Sequence, residues 1–284
     1  MFPILFHLPD WFPFLGGEPV TSFGVMMFAA FVTAGVVLKA EMTRNGYDGE
    51  RAWDFVFMAV IGGIIGAKVY YVLLNFDRLQ AEGLSFLFQR GGMVWYGGFL
   101  LAAALVLWEA KKSPIPVRKA MDFCAPALAL AYAVGRIGCF LVGDDWGRPT
   151  DSWVGIAFPN GFPPTRVDVI EQQFGITVDP ELIAKYGDVV PVHPTQLYEV
   201  GMSTLIFFVL WSLRKRTFQP GWLFALWLAL AGAERFVVEF FRAKDDRFFG
   251  ILTLAQIISL GLVVVGVAWT IRLRGPGETP AGAR

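Results

Sequence analysis

Charge is scarce in this sequence. Asp, Glu, Lys and Arg make up 17% of its 284 residues, against about 25% in ordinary soluble domains. The two signs balance at 24 each, so no basic excess points to a nucleic-acid partner. Cysteine is nearly absent. Cys124 and Cys139 are the two in the chain, and they fall on one predicted helix. Their separation of about 22 Å along that helix is far beyond the reach of a disulfide. No basic region precedes an apolar run at the N-terminus, and no clear cleavage site follows, so no removable signal peptide is expected. Internal repeats are absent, and low complexity is confined to the tail after Arg274.

Apolar residues are abundant: 55% of the chain is hydrophobic and 15% aromatic, with a mean hydropathy of +0.53. A water-soluble fold has too little interior to hide that much apolar surface, so the sequence reads as an all-α polytopic membrane protein. Seven stretches have about the length a bilayer requires: roughly 21–38, 54–75, 93–110, 120–142, 195–213, 221–241 and 250–271. Residues 1–20, with Trp11, Phe12, Phe14 and Pro3, Pro9, Pro13, read as an aromatic segment lying in the membrane interface. Spans one to four fill 21–142, an extramembrane head fills 143–194, spans five to seven fill 195–271, and 272–284 is a tail. The head has possible short strands such as Trp153–Phe158 and is too short for an independent core of any size.

Basic clusters orient the chain. Lys39/Arg44/Arg51, Lys111/Lys112/Arg118/Lys119, Arg214/Lys215/Arg216 and Arg272/Arg274/Arg284 fall on one side. The other side is sparser, with Arg78/Arg90, Arg148/Arg166/Lys185 and Arg242/Lys244/Arg247. The denser side is expected to be cytoplasmic, which puts the N-terminus and the head outside and the C-terminus inside.

Three cations remain inside spans: Lys68, Arg136 and Arg235. A charge at mid-bilayer costs a few kcal/mol, so such a residue is usually paired or functional. All three spans run outward, and each cation sits about 9–11 Å from the outer end of its span at helical rise. That depth suits the phosphate of an anionic lipid in the outer leaflet. Lys68 has a stem long enough to snorkel to the interface instead. Arg235 has polar company in Glu239 and Arg242, spaced as i,i+4 and i,i+3 pairs. Arg136 is followed by a break at Gly143 and the acidic turn Asp144–Asp145.

Other polar features flank these spans. Tyr96, Gly97 and Gly98 open the third span near the outer face, where the glycines permit close approach of a neighbour or a ligand. Gly62-Gly63-x-x-Gly66 reads as helix packing, since a nucleotide loop needs a different spacing and a preceding strand. Thr195 is a plausible N-cap for the fifth span, with Glu199 favourable in its first turn and His193 at its mouth. Asp144, Asp145 and His193 lack the ligand spacing of a metal site.

Taken in order, the motifs are Gly135-Arg136-Ile137-Gly138-x-Phe140, Trp146-Gly147-Arg148, His193-Pro194-Thr195-Gln196-Leu197-Tyr198-Glu199 and Arg235-x-x-x-Glu239-Phe240-Phe241-Arg242. This set resembles the bacterial prolipoprotein diacylglyceryl transferase family over nearly the whole chain. The resemblance implies a seven-helix inner-membrane bundle with a periplasmic head. It also implies transfer of diacylglycerol from phosphatidylglycerol to the thiol of a lipobox cysteine in a preprolipoprotein, leaving a thioether and glycerol 1-phosphate. The implied partners are phosphatidylglycerol, the preprolipoprotein signal peptide and membrane lipids, with no metal or organic cofactor. Carried onto this chain, the catalytic set is Arg136, Arg235, Tyr96 and Glu239. The phosphatidylglycerol contacts are Arg136, Arg235, Gly97, Gly98, Asp144, Gly147 and Arg242. The chain departs from the family pattern at five places. Tyr96 stands for histidine, Cys139 for asparagine, Asp144 for glutamate, and Phe23 and Ala231 for tyrosines.

Two other classes stay open on the residues alone. One is a non-catalytic lipid- or signal-peptide-binding relative, for which Tyr96 and Cys139 speak. The other is a small-solute transporter, which needs polar residues through the full membrane depth. The inner halves of the fourth and sixth spans, Cys124–Leu130 and Leu223–Leu230, are apolar instead. The orientation is directly testable. A topology reporter fused after Arg216 is expected to read cytoplasmic, and one inserted near Gly161 extracytoplasmic. A cytoplasmic reading at Gly161 overturns the outer-leaflet argument.

Overall fold

In lipid a backbone must satisfy its own hydrogen bonds, which leaves helices as the solution for each long apolar run. The computed structural model describes residues 2–11, 16–83, 85–88, 92–216, 218–243, 247–248 and 252–275. Its long helices are α1 (Ser22–Arg44), α2 (Arg51–Leu74), α5 (Trp95–Lys112), α6 (Val117–Val142), α9 (Thr195–Leu213), α10 (Trp222–Glu239) and α11 (Leu254–Arg272). Each predicted apolar stretch overlaps one of them. Five, α1, α2, α6, α9 and α11, are long and apolar enough to cross a membrane. The other two have 18 residues each and carry three charged side chains apiece: Glu109, Lys111 and Lys112 on α5, and Glu234, Arg235 and Glu239 on α10. The protein is a helical, multi-pass membrane protein.

Several expected residues lie outside the described residues: Phe12, Pro13 and Phe14 of the aromatic segment, Arg90, Lys244, Arg284, and Gly250 and Ile251 at the expected start of the last span. The rest of the aromatic segment forms a two-stranded antiparallel hairpin, β1 (Ile4–His7) with β2 (Pro19–Thr21). Two short helices, α3 (Phe76–Glu82) and α4 (Ser85–Phe88), follow α2. Both cysteines lie on α6 and are free.

The chain divides into two units, Ala34–Cys124 and the remainder. In the first, α2 packs on α5 through small residues. A Cβ on Gly66 would strike the Gly97 carbonyl, one on Gly97 would strike Tyr70 and Gly66, and one on Gly62 would strike Ala102. Close backbone approach of this kind is how helices associate without a hydrophobic drive. Gly63 of the same motif has nothing within 4 Å of a built Cβ.

In the second unit α10 packs on α11 and α9. Gly232 meets the Ser259 carbonyl and Gly266 meets the Ala229 backbone. Helix α11 opens with a capping box. The Thr253 hydroxyl accepts from the Gln256 amide, and the Gln256 side chain accepts from the Thr253 amide. Strands β3 (Arg247–Phe248) and β4 (Leu252–Thr253) pair just before it.

The head corrects two expectations. Trp153–Phe158 forms no strand; only Ile156 makes an isolated bridge, to Val192. A small core does exist, made by Trp146, Phe158, Ile170, Val178, Val190 and Val192 together with Ala243. Helices α7 (Val167–Phe174) and α8 (Pro180–Tyr186) enclose it. The Asp179 carboxylate caps α8 by accepting from the Glu181 amide at 2.9 Å, ahead of a proline at the first helical position. Ala243, from beyond α10, joins this core, and the head's own Trp146 donates its indole N–H to the Pro163 carbonyl at 2.9 Å.

Gly66 and Gly63 separate packing from mere composition. Gly66→Ala is expected to wedge α2 off α5 and cost about 1–3 kcal/mol. Gly63→Ala is expected to be neutral or to gain up to about 1 kcal/mol of helix propensity. Thermal unfolding in detergent reads both, and equal midpoints for the two variants would contradict this packing.

Candidate active site

Helix α6 ends where the sequence changes from apolar to Gly-Asp-Asp. Gly143 takes a φ of 76° and Asp145 a φ of 56°. Aspartate is among the few residues that enter this left-handed region readily. The turn brings the Asp145 carboxylate back toward Arg136, one oxygen accepting from Arg136 Nη1 at 2.9 Å. The other oxygen accepts from Arg242 Nη2, also at 2.9 Å. Asp145 therefore bridges the end of α6 to the segment just beyond α10.

The chain of ion pairs continues both ways. Glu239 Oε2 lies 2.6 Å from Arg235 Nη2 and 3.8 Å from Arg242 Nε. Its other oxygen accepts from the Thr253 hydroxyl at 3.1 Å, so the cap of α11 also steadies Glu239. In the opposite direction Arg136 pairs through Nη2 with Glu199 on α9. Glu199 is 1% exposed and accepts from the Tyr132 hydroxyl at 2.8 Å. Three arginines thus alternate with three carboxylates. Every member has an opposite charge beside it, the condition under which ions persist away from water.

Backbone contacts fix this chain. The Thr195 hydroxyl donates to the Asp145 carbonyl at 2.6 Å, and Gln196 donates to the Asp144 carbonyl. Thr195 is the first residue of α9, whose N-cap position is Pro194, so the expected cap gives way to a tie across to Asp145. Gly147 donates its amide to the His193 carbonyl at 2.8 Å. A Cβ there would strike the Phe241 carbonyl and His193. The glycine lets three segments meet, and its amide is already taken.

The two arginines expected to act alike differ. The Arg136 side chain is 10% exposed and held by two carboxylates; that of Arg235 is 33% exposed and held by one. Both retain buried nitrogens without a hydrogen-bond partner, Nε of Arg136 and Nη1 of Arg235. Arg242, expected on the helical face of Arg235 and Glu239, lies just past the end of α10 and makes its shorter contact with Asp145. Cys139 Sγ sits 3.2 Å from Arg136 Nη1. The Cys139 sulfur and an oxygen from each of Asp144 and Asp145 lie within 4.8 Å of one another. Both Asp145 oxygens are already engaged by guanidinium groups, and His193 is not part of that cluster.

Outside the spans, the two aspartates diverge. Burial alone raises the Asp145 carboxyl, but Arg242 and Arg136 outweigh it and hold the group down at about 2. Burial, with the neighbouring Asp145 charge, pushes Asp144 up to about 6, and its Oδ1 has no hydrogen-bond partner. Burial also lowers His193 below the ordinary imidazole range. Its Nδ1 lies 3.0 Å from the Tyr198 hydroxyl.

The remaining expected residues belong to the other unit. Tyr96 is 49% exposed, with its ring edge-on to Trp95 at 5.3 Å. Gly97 and Gly98 are buried, and the close approach they permit is made by α2. Lys68 stands over the Tyr71 ring at 5.7 Å. Glu199, Tyr132 and Asp145 were missed as site residues. The available signal for Glu199 was an acid five residues into an apolar span, which by default marks a site.

Comparison with known sequences follows the same residues. The profile of the family described as prolipoprotein diacylglyceryl transferase matches residues 9–272. A protein of Clostridium tetani named phosphatidylglycerol–prolipoprotein diacylglyceryl transferase is 29% identical over 94% of this chain and 96% of its own length. Proteins of the same name from Burkholderia thailandensis and Vibrio vulnificus are 33% and 32% identical, over 93% and 89% of this chain and 95% and 87% of theirs.

Asp144 supplies a pH test. An acid whose folded pKa is raised stabilises the fold below its unfolded value of about 3.9. That contribution is lost as pH rises through about 6. The wild-type unfolding midpoint is therefore expected to fall between pH 4 and 7 relative to Asp144→Asn. The ceiling is about 3 kcal/mol, lowered by solvent screening. Parallel midpoints across that window would contradict this environment for Asp144.

Proposed function

The chain belongs to the prolipoprotein diacylglyceryl transferase family, and on that premise we propose that it moves the diacylglyceryl group of phosphatidylglycerol onto the lipobox cysteine thiol of a preprolipoprotein. The thiol first loses its proton to water, and the thiolate sulfur attacks the glyceryl carbon that carries the phosphate. The C–O bond breaks, its electron pair leaves on the phosphate oxygen, and glycerol 1-phosphate departs. The carrying observation is the pair of unpartnered guanidinium nitrogens, Arg136 Nε and Arg235 Nη1, on side chains anchored by carboxylates at both terminal nitrogens of Arg136 and at Nη2 of Arg235. Fixed forks with donors left over suit a phosphate diester.

In this reading Arg235, the more exposed of the two, takes the phosphate first. Arg136 holds position through Glu199 and Asp145 and stabilises the charge that develops on the departing group. Glu239 and Arg242 are positioning residues. A thiol is a few per cent ionised at neutral pH, and nearby cations raise that fraction, so a dedicated base is a modest requirement. Gly97 and Gly98, by docking α5 on α2, set where Tyr96 stands. Asp144 and Gly147 support the turn that carries Asp145.

We further propose seven spans, with α5 and α10 joining the five longer and more apolar helices, in the inner membrane of a bacterium. The basic loops support an N-out, C-in arrangement with the arginines toward the periplasmic leaflet, where a lipobox cysteine emerges. Charged residues on α10 are tolerable in a span because Arg235 and Glu239 pair, and Glu234 is hydrogen-bonded by the Ser203 hydroxyl at 2.7 and 2.8 Å.

Transfer to a lipobox peptide in nanodiscs, read by mass spectrometry, tests the assignment. Arg235→Lys keeps the charge and loses the fork, so turnover is expected to fall sharply. Arg136→Ala is expected to lose about 2–4 kcal/mol of transition-state stabilisation, and Lys68→Ala much less. Near-wild-type turnover in well-folded Arg136→Ala places the phosphate elsewhere. Tyr96 has its own test. If its hydroxyl orients the thiol or the ester, Tyr96→Phe loses most activity and Tyr96→His keeps some. Equal turnover in wild type and Tyr96→Phe leaves the tyrosine as packing.

A further inference from the structure

We propose that the turn from Phe158 to Pro163 is a membrane foot of the head, with Phe162 inserted into the lipid surface beside the C-terminal end of α6. Phe162 is 78% exposed, although the residues around it are committed. Phe158 is fully buried in the head core. Gly161 donates its amide to the Phe158 carbonyl at 3.1 Å. The Pro163 carbonyl accepts from the Trp146 indole. A fixed turn that presents a bare phenylalanine has the form of an anchor, and segments from Phe158 to Thr165 contain no charged residue that would resist lipid.

The position of the turn names the occupant. Gly161 packs so closely on the Gly143 carbonyl that a Cβ would collide with it. Gly143 directly follows α6, a helix long and apolar enough to cross the membrane. Two residues earlier, the Leu141 carbonyl accepts from the Phe2 amide at 3.1 Å. That bond brings the β1–β2 hairpin to the same helix end. Phe2, Ile4, Leu5 and Phe6 are all exposed there. Two exposed apolar elements therefore meet a spanning helix where it leaves the apolar zone. Continuity with that helix favours lipid over a protein partner. The inference does not depend on the chemistry proposed above.

Site-directed quenching tests it. Phe162→Cys, Asn160→Cys in the same turn and Glu181→Cys on exposed α8 each receive one fluorophore, on a background with Cys124 and Cys139 replaced by Ala. Each folded protein is placed in phosphatidylethanolamine–phosphatidylglycerol nanodiscs, with acyl-chain nitroxides or aqueous iodide as quencher. Nitroxide is expected to quench the Phe162 and Asn160 labels about threefold more than the Glu181 label, with the order reversed for iodide. Iodide-dominated quenching at all three positions overturns the proposal. So does shielding of the Phe162 label that appears only on adding a lipobox peptide, since that makes the turn a peptide surface.

Discussion

The site depends on one carboxylate held between two guanidinium groups. Asp145 accepts from Arg136 with one oxygen and from Arg242 with the other. Arg136 belongs to α6, and Arg242 follows α10. Without this bridge the buried Arg136 would keep Glu199 as its carboxylate partner, and the segment beyond α10 would be left with its backbone ties to Gly147 and Arg148. Removing one partner of a buried pair is costly because it strands the other charge. The order of charges, arginine and carboxylate in turn, also keeps Arg136, Arg242 and Arg235 from repelling one another within one small region. It leaves particular nitrogens unpartnered, Arg136 Nε and Arg235 Nη1 among them.

Much of this was legible in the sequence. The apolar runs coincide with helices because a lipid-facing backbone has few other options. Arg136, Arg235 and Glu239 stood out because charge is rare in this chain, and the i,i+4 spacing of Arg235 and Glu239 places them within reach on any helix. Glu199 was hidden for the opposite reason. Its partner is 63 residues away on another helix, and periodicity within one helix carries no information about contacts between helices. Thr195 illustrates a competing use of one group. Its type and position suit an N-cap, yet its hydroxyl goes to the Asp145 carbonyl.

The head and the glycines teach a related lesson. A segment as short as Gly143–Pro194 was not expected to build an independent core, yet Trp146, Phe158, Ile170, Val178, Val190 and Val192 pack together there, joined by Ala243 from beyond α10. Gly62 and Gly66 were readable as helix packing from their spacing. Gly97 and Gly98 were readable as points of close approach, but only coordinates identify α2 as the neighbour. Gly147 matters for the room it leaves to Phe241 and His193.

The central claim is that a lipid phosphate sits against the free donors of Arg235 and Arg136. Solid-state NMR of guanidinium-labelled protein in phosphatidylglycerol nanodiscs measures ¹⁵N–³¹P dipolar coupling directly, with Arg235→Lys and Arg136→Lys assigning the signals. The account predicts coupling between a lipid phosphorus and an Arg235 side-chain nitrogen at about 4 Å, the range of a direct guanidinium–phosphate contact. A lipid phosphorus coupled only to other arginines, with both of these silent, would contradict it.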